Sequence, residues 1–175
     1  MSIKKKTQKQ LLEQQARELA ERNKELDCVY GITDLLETRG LSIEEFLQRA
    51  VELIPQAWQY PSFACARIVI REQIYKTANF QESEWCLTSP INVSGEKVGM
   101  IDVCYLKIPP DTLDMFLPEE IKLIDALAKR LGRIIEYKQV EELYIMLAEK
   151  SFAGVYIVQD GIFQFLNNNA AAYAG

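Results

Sequence analysis

The sequence predicts an α+β fold in which a small antiparallel sheet lies between two long helices. Three patterns predict it. Leu12, Leu19 and Leu26 recur at heptad spacing, the mark of a helix that shares a seam. Between residues 63 and 106, apolar and β-branched runs alternate with turn-forming residues, as in strands joined by short loops. From Pro118 onward, Ile121, Ile124, Leu127, Ala128, Leu131, Ile134 and Ile135 repeat at helical spacing.

The first helix is expected from Lys9 to Glu37. Ala16, Asn23 and Tyr30 each follow a seam leucine by four positions, so Leu12, Ala16, Leu19, Asn23 and Leu26 form a candidate dimer seam. An asparagine in such a seam can fix register and strand number at some cost in stability. The leucine series then meets the polar Thr33, and the apolar residues move to Val29, Ile32, Leu35 and Leu36. The spacing therefore predicts a handover, with the first half pairing with another helix and the second half packing on the chain's own sheet. An amphipathic helix that packs wholly on its own domain is the rival reading. Lys4, Lys5, Lys6 and Lys9 make a basic run that reads as a solvated tail.

Thr38-Arg39-Gly40 breaks the helix. Ser42 and Glu45 are spaced as a capping box for a second helix, which buries Phe46, Leu47, Ala50, Val51 and Ile54 and stops at Pro55. Strands are predicted at 63–71, 73–77, 86–93 and 97–106, the last two joined through Ser94-Gly95-Glu96. A polar loop spans 78–84, and Pro109-Pro110 end the sheet. Pro118 suits the first turn of the next long helix, and Glu119 and Glu120 favour its N-terminus. Its apolar pattern runs on through Val140, Leu143 and Leu147, farther than one small domain needs. A hairpin around Asp160-Gly161 and a short helix after Asn167-Asn168-Asn169 follow. A hairpin and half a helix cannot enclose a core, so the natural chain is expected to continue.

Composition excludes several chemistries. The chain has 175 residues, a net charge of -5 and no histidine. A phospho-accepting histidine, a His-activated nucleophile and His-ligated haem are therefore impossible. Its four cysteines, Cys28, Cys65, Cys86 and Cys104, form no C-x-x-C pair, so no metal site is expected, and scattered cysteines of this kind read as small buried hydrophobes. No cofactor, nucleic-acid partner or catalytic residue is indicated. No apolar run is long enough to span a bilayer, and no signal-peptide pattern opens the chain. A cytoplasmic location is the expectation.

Strand alternation assigns faces. Ala64, Ala66, Ile68 and Ile70 share one face with Ile101, Val103 and Tyr105, and suit packing against the helices. Cys65, Arg67, Asp102 and Cys104 fall on the other. An arginine and an aspartate within a sheet need partners if they are buried. They read either as a mutual ion pair or a solvated outer face, or as a charged pocket floor that meets a small anionic or polar ligand through Arg67. Cys65 and Cys104 read as a redox-sensitive pair or as two small core neighbours. Phe80 and Trp85, near the short loop, read as a pocket lid or as a plain hydrophobic cover.

The strings LSIEEFLQRAVELIPQAWQYPSFACARIVI, VSGEKVGMIDVCYL and FLPEEIKLIDALAKRLGRIIEYKQVEE resemble a GAF-type sensory domain over about residues 28 to 140. LAEKSFAGVYIVQDGIFQFLNNNAAAYAG resembles the first strands and helix of a PAS domain. The implied organisation is a signalling helix at 1–37, a GAF-like domain at 38–136, a helical linker at 137–151 and the start of a PAS domain at 152–175. The resemblance implies a ligand site on the sheet face bearing Cys65, Arg67, Asp102 and Cys104, under Phe80 and Trp85. The loop between the central strands is short for the family, which implies a small site. The cyclic-nucleotide signature of some GAF domains is absent, and no histidine accompanies Cys86 as in many bilin-binding ones. The expected function is a non-catalytic sensory and dimerisation module of a cytoplasmic signalling protein. It would act as a homodimer and relay a small-molecule or redox signal to a PAS, histidine-kinase or diguanylate-cyclase domain of the same chain. The alternatives are a ligand-free dimerisation spacer and a cysteine-dependent methionine sulfoxide reductase of the GAF fold.

Overall fold

A computed structural model describes residues 2–38, 40–107 and 115–174, without the side chains of residues 2–7, 9–11, 13, 14, 17, 18 and 174. The backbone of the lysine run at 4–9 is helical and not a tail, while the side chains of those lysines, the break at Arg39 and the proline pair at 109–110 lie outside what is described. The chain divides into two compact units, Met1–Gly132 and Arg133–Gly175.

The first unit is mixed helix and sheet. Helix α1 spans Ser2–Glu37 and α2 spans Ile43–Leu53. At the start of α2 the Ser42 hydroxyl accepts from the Glu45 N–H, and the Glu45 carboxylate accepts from the Ser42 N–H, satisfying two otherwise orphaned donors. Pro55 does not end the chain's helical path at once. It lies in a 3₁₀ turn, Ile54–Ala57, that closes with the Trp58 N–H on the Pro55 carbonyl.

Four strands follow: β1 (Ala64–Ile70), β2 (Gln73–Lys76), β3 (Cys86–Val93) and β4 (Glu96–Tyr105). They form one antiparallel sheet in the order β2-β1-β4-β3. Ser94 and Gly95 both take positive φ, 50° and 85°, which makes the two-residue β3–β4 turn and matches the twist of the strands.

One face of the sheet carries the core. Ala64, Ala66, Ile68, Ile101, Val103 and Ile91 are buried there. Helix α3, Pro118–Glu149, begins in this unit and packs on that face. Ser89 donates to Asp125 of α3 at 2.7 Å, and the Tyr105 hydroxyl donates to Glu120 at the same distance. Glu120 is buried and also accepts from the backbone N–H groups of Gln59 and Leu117, so its charge is fully partnered. Gly132 is required where α3 crosses the sheet edge, because a Cβ there would collide with the Asn92 carbonyl oxygen. Phe46, Leu47 and Trp58 complete the core, each contributing ~1.5–3 kcal/mol by leaving water.

The second unit holds the rest of α3, the hairpin β5 (Tyr156–Gln159) and β6 (Ile162–Leu166), and α4 (Asn168–Ala174). Asp160 and Gly161 form its turn with φ of 52° and 77°. Asn167 organises the unit. Its side chain accepts from Val155 N and Ala170 N, and donates to the Ala148 and Ala153 carbonyls. The hairpin leaves Tyr156, Ile157, Val158, Ile162 and Phe163 exposed.

Candidate functional site

The sheet face away from the core carries rows of side chains set by strand register. Cys65 of β1 stands opposite Cys104 of β4, and Arg67 stands opposite Asp102. On the other flank of β4, Thr88 of β3 stands opposite Asp102 and Cys86 opposite Cys104. The four sheet residues singled out from alternation are therefore neighbours.

Asp102 is buried and doubly satisfied. One oxygen accepts from Arg67 Nε at 2.9 Å, the other from the Thr88 hydroxyl at 2.7 Å. Arg67 Nη1 also donates to Glu82 at 2.7 Å, and the guanidinium lies over the Phe80 ring, 4.9 Å from its centroid. Burial disfavours the Arg67 charge, but the two carboxylates outweigh it and raise its pKa. The side chains of Asp102 and Arg67 keep 6% and 23% exposure, whereas Glu82 keeps 75%. The cluster thus has one firmly held carboxylate and one that water reaches freely.

The loop 77–85 lies over this face. Its Thr77 hydroxyl accepts from Ala66 N, Asn79 donates to the Ala64 carbonyl, and the Gln81 carbonyl accepts from the Cys65 thiol at 3.6 Å. Phe80 and Glu82 close over Arg67. Trp85 takes a different part. Its carbonyl accepts from Tyr105 N and from the Ser83 hydroxyl, so its backbone anchors the end of the loop.

The cysteines need a correction. They are not all separate small hydrophobes: Cys86 and Cys104 form a disulfide, with Cα atoms 4.1 Å apart. Counting outward from the Ser94-Gly95 turn in strict pairs would set Cys86 against Val103. A bulge shifts the register between Ile91 and Asn92, leaving Val98 unpaired in that ladder, and brings Cys86 opposite Cys104. The Val98 carbonyl instead accepts from Arg71 N at 2.8 Å. Cys65 remains a free thiol. It is buried, and burial raises its pKa, so it rests protonated beside the bridge.

The seam residues Leu12, Ala16, Leu19, Asn23 and Leu26 are exposed on α1, whereas Cys28 and Ile32 are buried. Among the described residues no Cys/Asp/Glu group could hold a metal ion, and no helix is long and apolar enough to cross a membrane. In the second unit a cleft of about 620 Å³ is lined by Tyr137, Val140, Tyr144, Ile157 and Phe165. No family model, curated protein or solved structure matches the chain.

Proposed function

We propose that the chain is a non-catalytic sensory and dimerisation module, a GAF-type domain that passes a small-molecule or redox signal through its flanking helices to an output domain. The observation that carries this reading is the divided character of α1. Leu12, Leu19 and Leu26 leave 60%, 63% and 48% of their surface in water, while Cys28 and Ile32 farther along are buried. A leucine moved fully from water gains ~1.5–3 kcal/mol, so a row of them favours a matching row. A second copy of the same helix supplies one, in parallel register, with Asn23 opposite Asn23. The apolar side chains left exposed on the hairpin at 156–166 agree with residues 152–175 opening a PAS-type fold.

The signal would be read at the Arg67–Asp102 cluster. A small carboxylic acid fits there by taking the place of Glu82, the exposed partner of Arg67. The pairing of Arg67 with both Asp102 and Glu82 favours a second reading, a dimerisation spacer that binds no ligand.

Sedimentation of the purified protein tests the dimer. A dimer that Leu19→Glu with Leu26→Glu converts to a folded monomer supports it, and a wild-type monomer at high concentration overturns it. Mass spectrometry under native conditions separates the two readings. A small acid carried by the wild type and lost in Arg67→Ala supports the sensor, and an empty protein supports the spacer.

A further inference from the structure

Three of the chain's four cysteines lie in one row across β1, β4 and β3. The two that are joined sit where loop 77–85 enters the sheet. Cys86 is the first residue of β3, and among the described residues β3 is an edge strand paired with β4 alone. The bridge therefore pins the end of the loop whose Phe80 and Glu82 cover Arg67. The two cysteines differ in exposure. Cys104 is buried at the centre of the sheet, while Cys86 is half-buried at its edge.

We propose that Cys86–Cys104 is a redox-active disulfide that exchanges with dithiols and, when opened, releases loop 77–85 from the Arg67 face. The proposal deepens the sensory reading by naming its signal, and rests on that reading only for the relay to an output. A thiolate of the dithiol attacks Sγ of Cys86, the more exposed of the two cysteines. The Cys86–Cys104 bond breaks, its electron pair stays on Cys104 Sγ, and that sulfur takes a proton from solvent. The second thiol of the reductant then attacks its own mixed-disulfide sulfur and expels Cys86, which is protonated in turn. The bridge has gained two electrons and two protons, and the dithiol has become a disulfide.

Cys65 does not compete as the attacking group. Its thiol is buried, donates to the Gln81 and Cys104 carbonyls at 3.6 and 3.5 Å, and is held protonated by desolvation. Loss of the bridge leaves the start of β3 held by backbone pairing and the Thr88–Asp102 and Ser83–Tyr105 hydrogen bonds, with no covalent tie, and a sheet edge so held opens locally at lower cost. In a reducing compartment disulfides are chiefly redox-sensing or catalytic, so in the proposed cytoplasmic setting closure of this bridge would report oxidation.

The test uses the whole chain, folded, before and after millimolar dithiothreitol. Alkylation mapped by mass spectrometry should add label at Cys86 and Cys104. Hydrogen exchange over residues 78–88 should quicken by about tenfold or more, while α2 stays unchanged. Cys86→Ser should show the fast exchange with or without reductant; if it does not fold, the reduced wild type alone decides. A bridge that resists dithiothreitol until the protein is denatured overturns the proposal. So does a bridge that opens with exchange at 78–88 unchanged. Sedimentation of the same samples reads the dimer separately, so failure of the dimer and failure of the switch are distinct results.

Discussion

Thr33 on α1 accepts a hydrogen bond from Arg130 Nη2 on α3 while its own hydroxyl donates to the Val29 carbonyl at 2.7 Å. The residue that interrupts the leucine series is thus the residue that ties the two long helices together. Arg130 has a further buried N–H, on Nε, with no hydrogen-bond partner among the described residues. Thr33→Val strands a second donor of the same side chain. It should cost about 1–3 kcal/mol in urea unfolding, the penalty for an unsatisfied buried donor. Thr33→Val combined with Arg130→Met removes both sides and should cost less than Thr33→Val alone. Additive losses would show that the pair does not couple the helices.

Gly132 sets how closely α3 meets the sheet. Any Cβ at this position would run into the Asn92 backbone carbonyl, which no side-chain rotation can relieve. Gly132→Ala should therefore destabilise the protein by roughly 1–3 kcal/mol, despite the better helix propensity of alanine. The midpoint of thermal unfolding by circular dichroism checks this, and an unchanged or raised midpoint contradicts it.

Much of this architecture was legible because it rests on local rules. Period-two alternation correctly put Cys65, Arg67, Asp102 and Cys104 on one face, and β3 spans the predicted residues 86–93. The capping box at Ser42 and the turn at Ser94-Gly95 also follow from local chemistry. The disulfide was not legible, since it depends on a one-residue bulge at Val98. In the stretch Lys97-Val98-Gly99-Met100 the sign of it is Gly99, since a glycine inside a strand often marks a bulge, but it fixes neither the position nor the register shift. Glu82 was missed for another reason. It sits in a polar loop whose path is set by contacts with distant residues such as Ala64 and Arg67.

Alkaline pH should unfold the protein earlier than its charge alone suggests. Burial pushes the Cys28 thiol from 9.0 up to about 12. Burial also raises Cys65, and burial with the nearby Glu120 raises Tyr105. Each group is more firmly protonated when folded than when unfolded. Their stabilisation is thus fully present below about pH 9, and is lost as pH climbs through the folded values. Cys28 alone accounts for at most ~4 kcal/mol at full expression. Cys28→Ala should flatten the decline in unfolding free energy between pH 9 and about 12. An identical alkaline slope in the variant would remove Cys28 as its source.

The Arg67 cluster makes the most specific prediction for ligand binding. Arg67 meets two carboxylates of unequal standing, Asp102 buried within the sheet and Glu82 largely in water. Removing the buried one leaves a partly buried guanidinium short of a partner. Asp102→Ala should cost about 1–3 kcal/mol, less than a fully buried pair because Glu82 and solvent still reach Arg67. Removing the exposed one should cost little, as solvent-exposed ion pairs contribute ~0–1 kcal/mol. Its effect should fall on binding instead. With Glu82 in place, an added anion meets two resident negative charges and one positive. Glu82→Gln cancels one of the negatives and vacates Nη1 for a guest carboxylate. Succinate titrated against the variant should bind about tenfold more tightly than against the wild type, a change of ~1.4 kcal/mol. Arg67→Ala in the same background should abolish the gain. Chemical shifts of the amides at 67, 82 and 102 read the binding directly. Equal, negligible succinate binding in wild type and Glu82→Gln would mark the Arg67 cluster as a structural ion pair and favour the spacer reading.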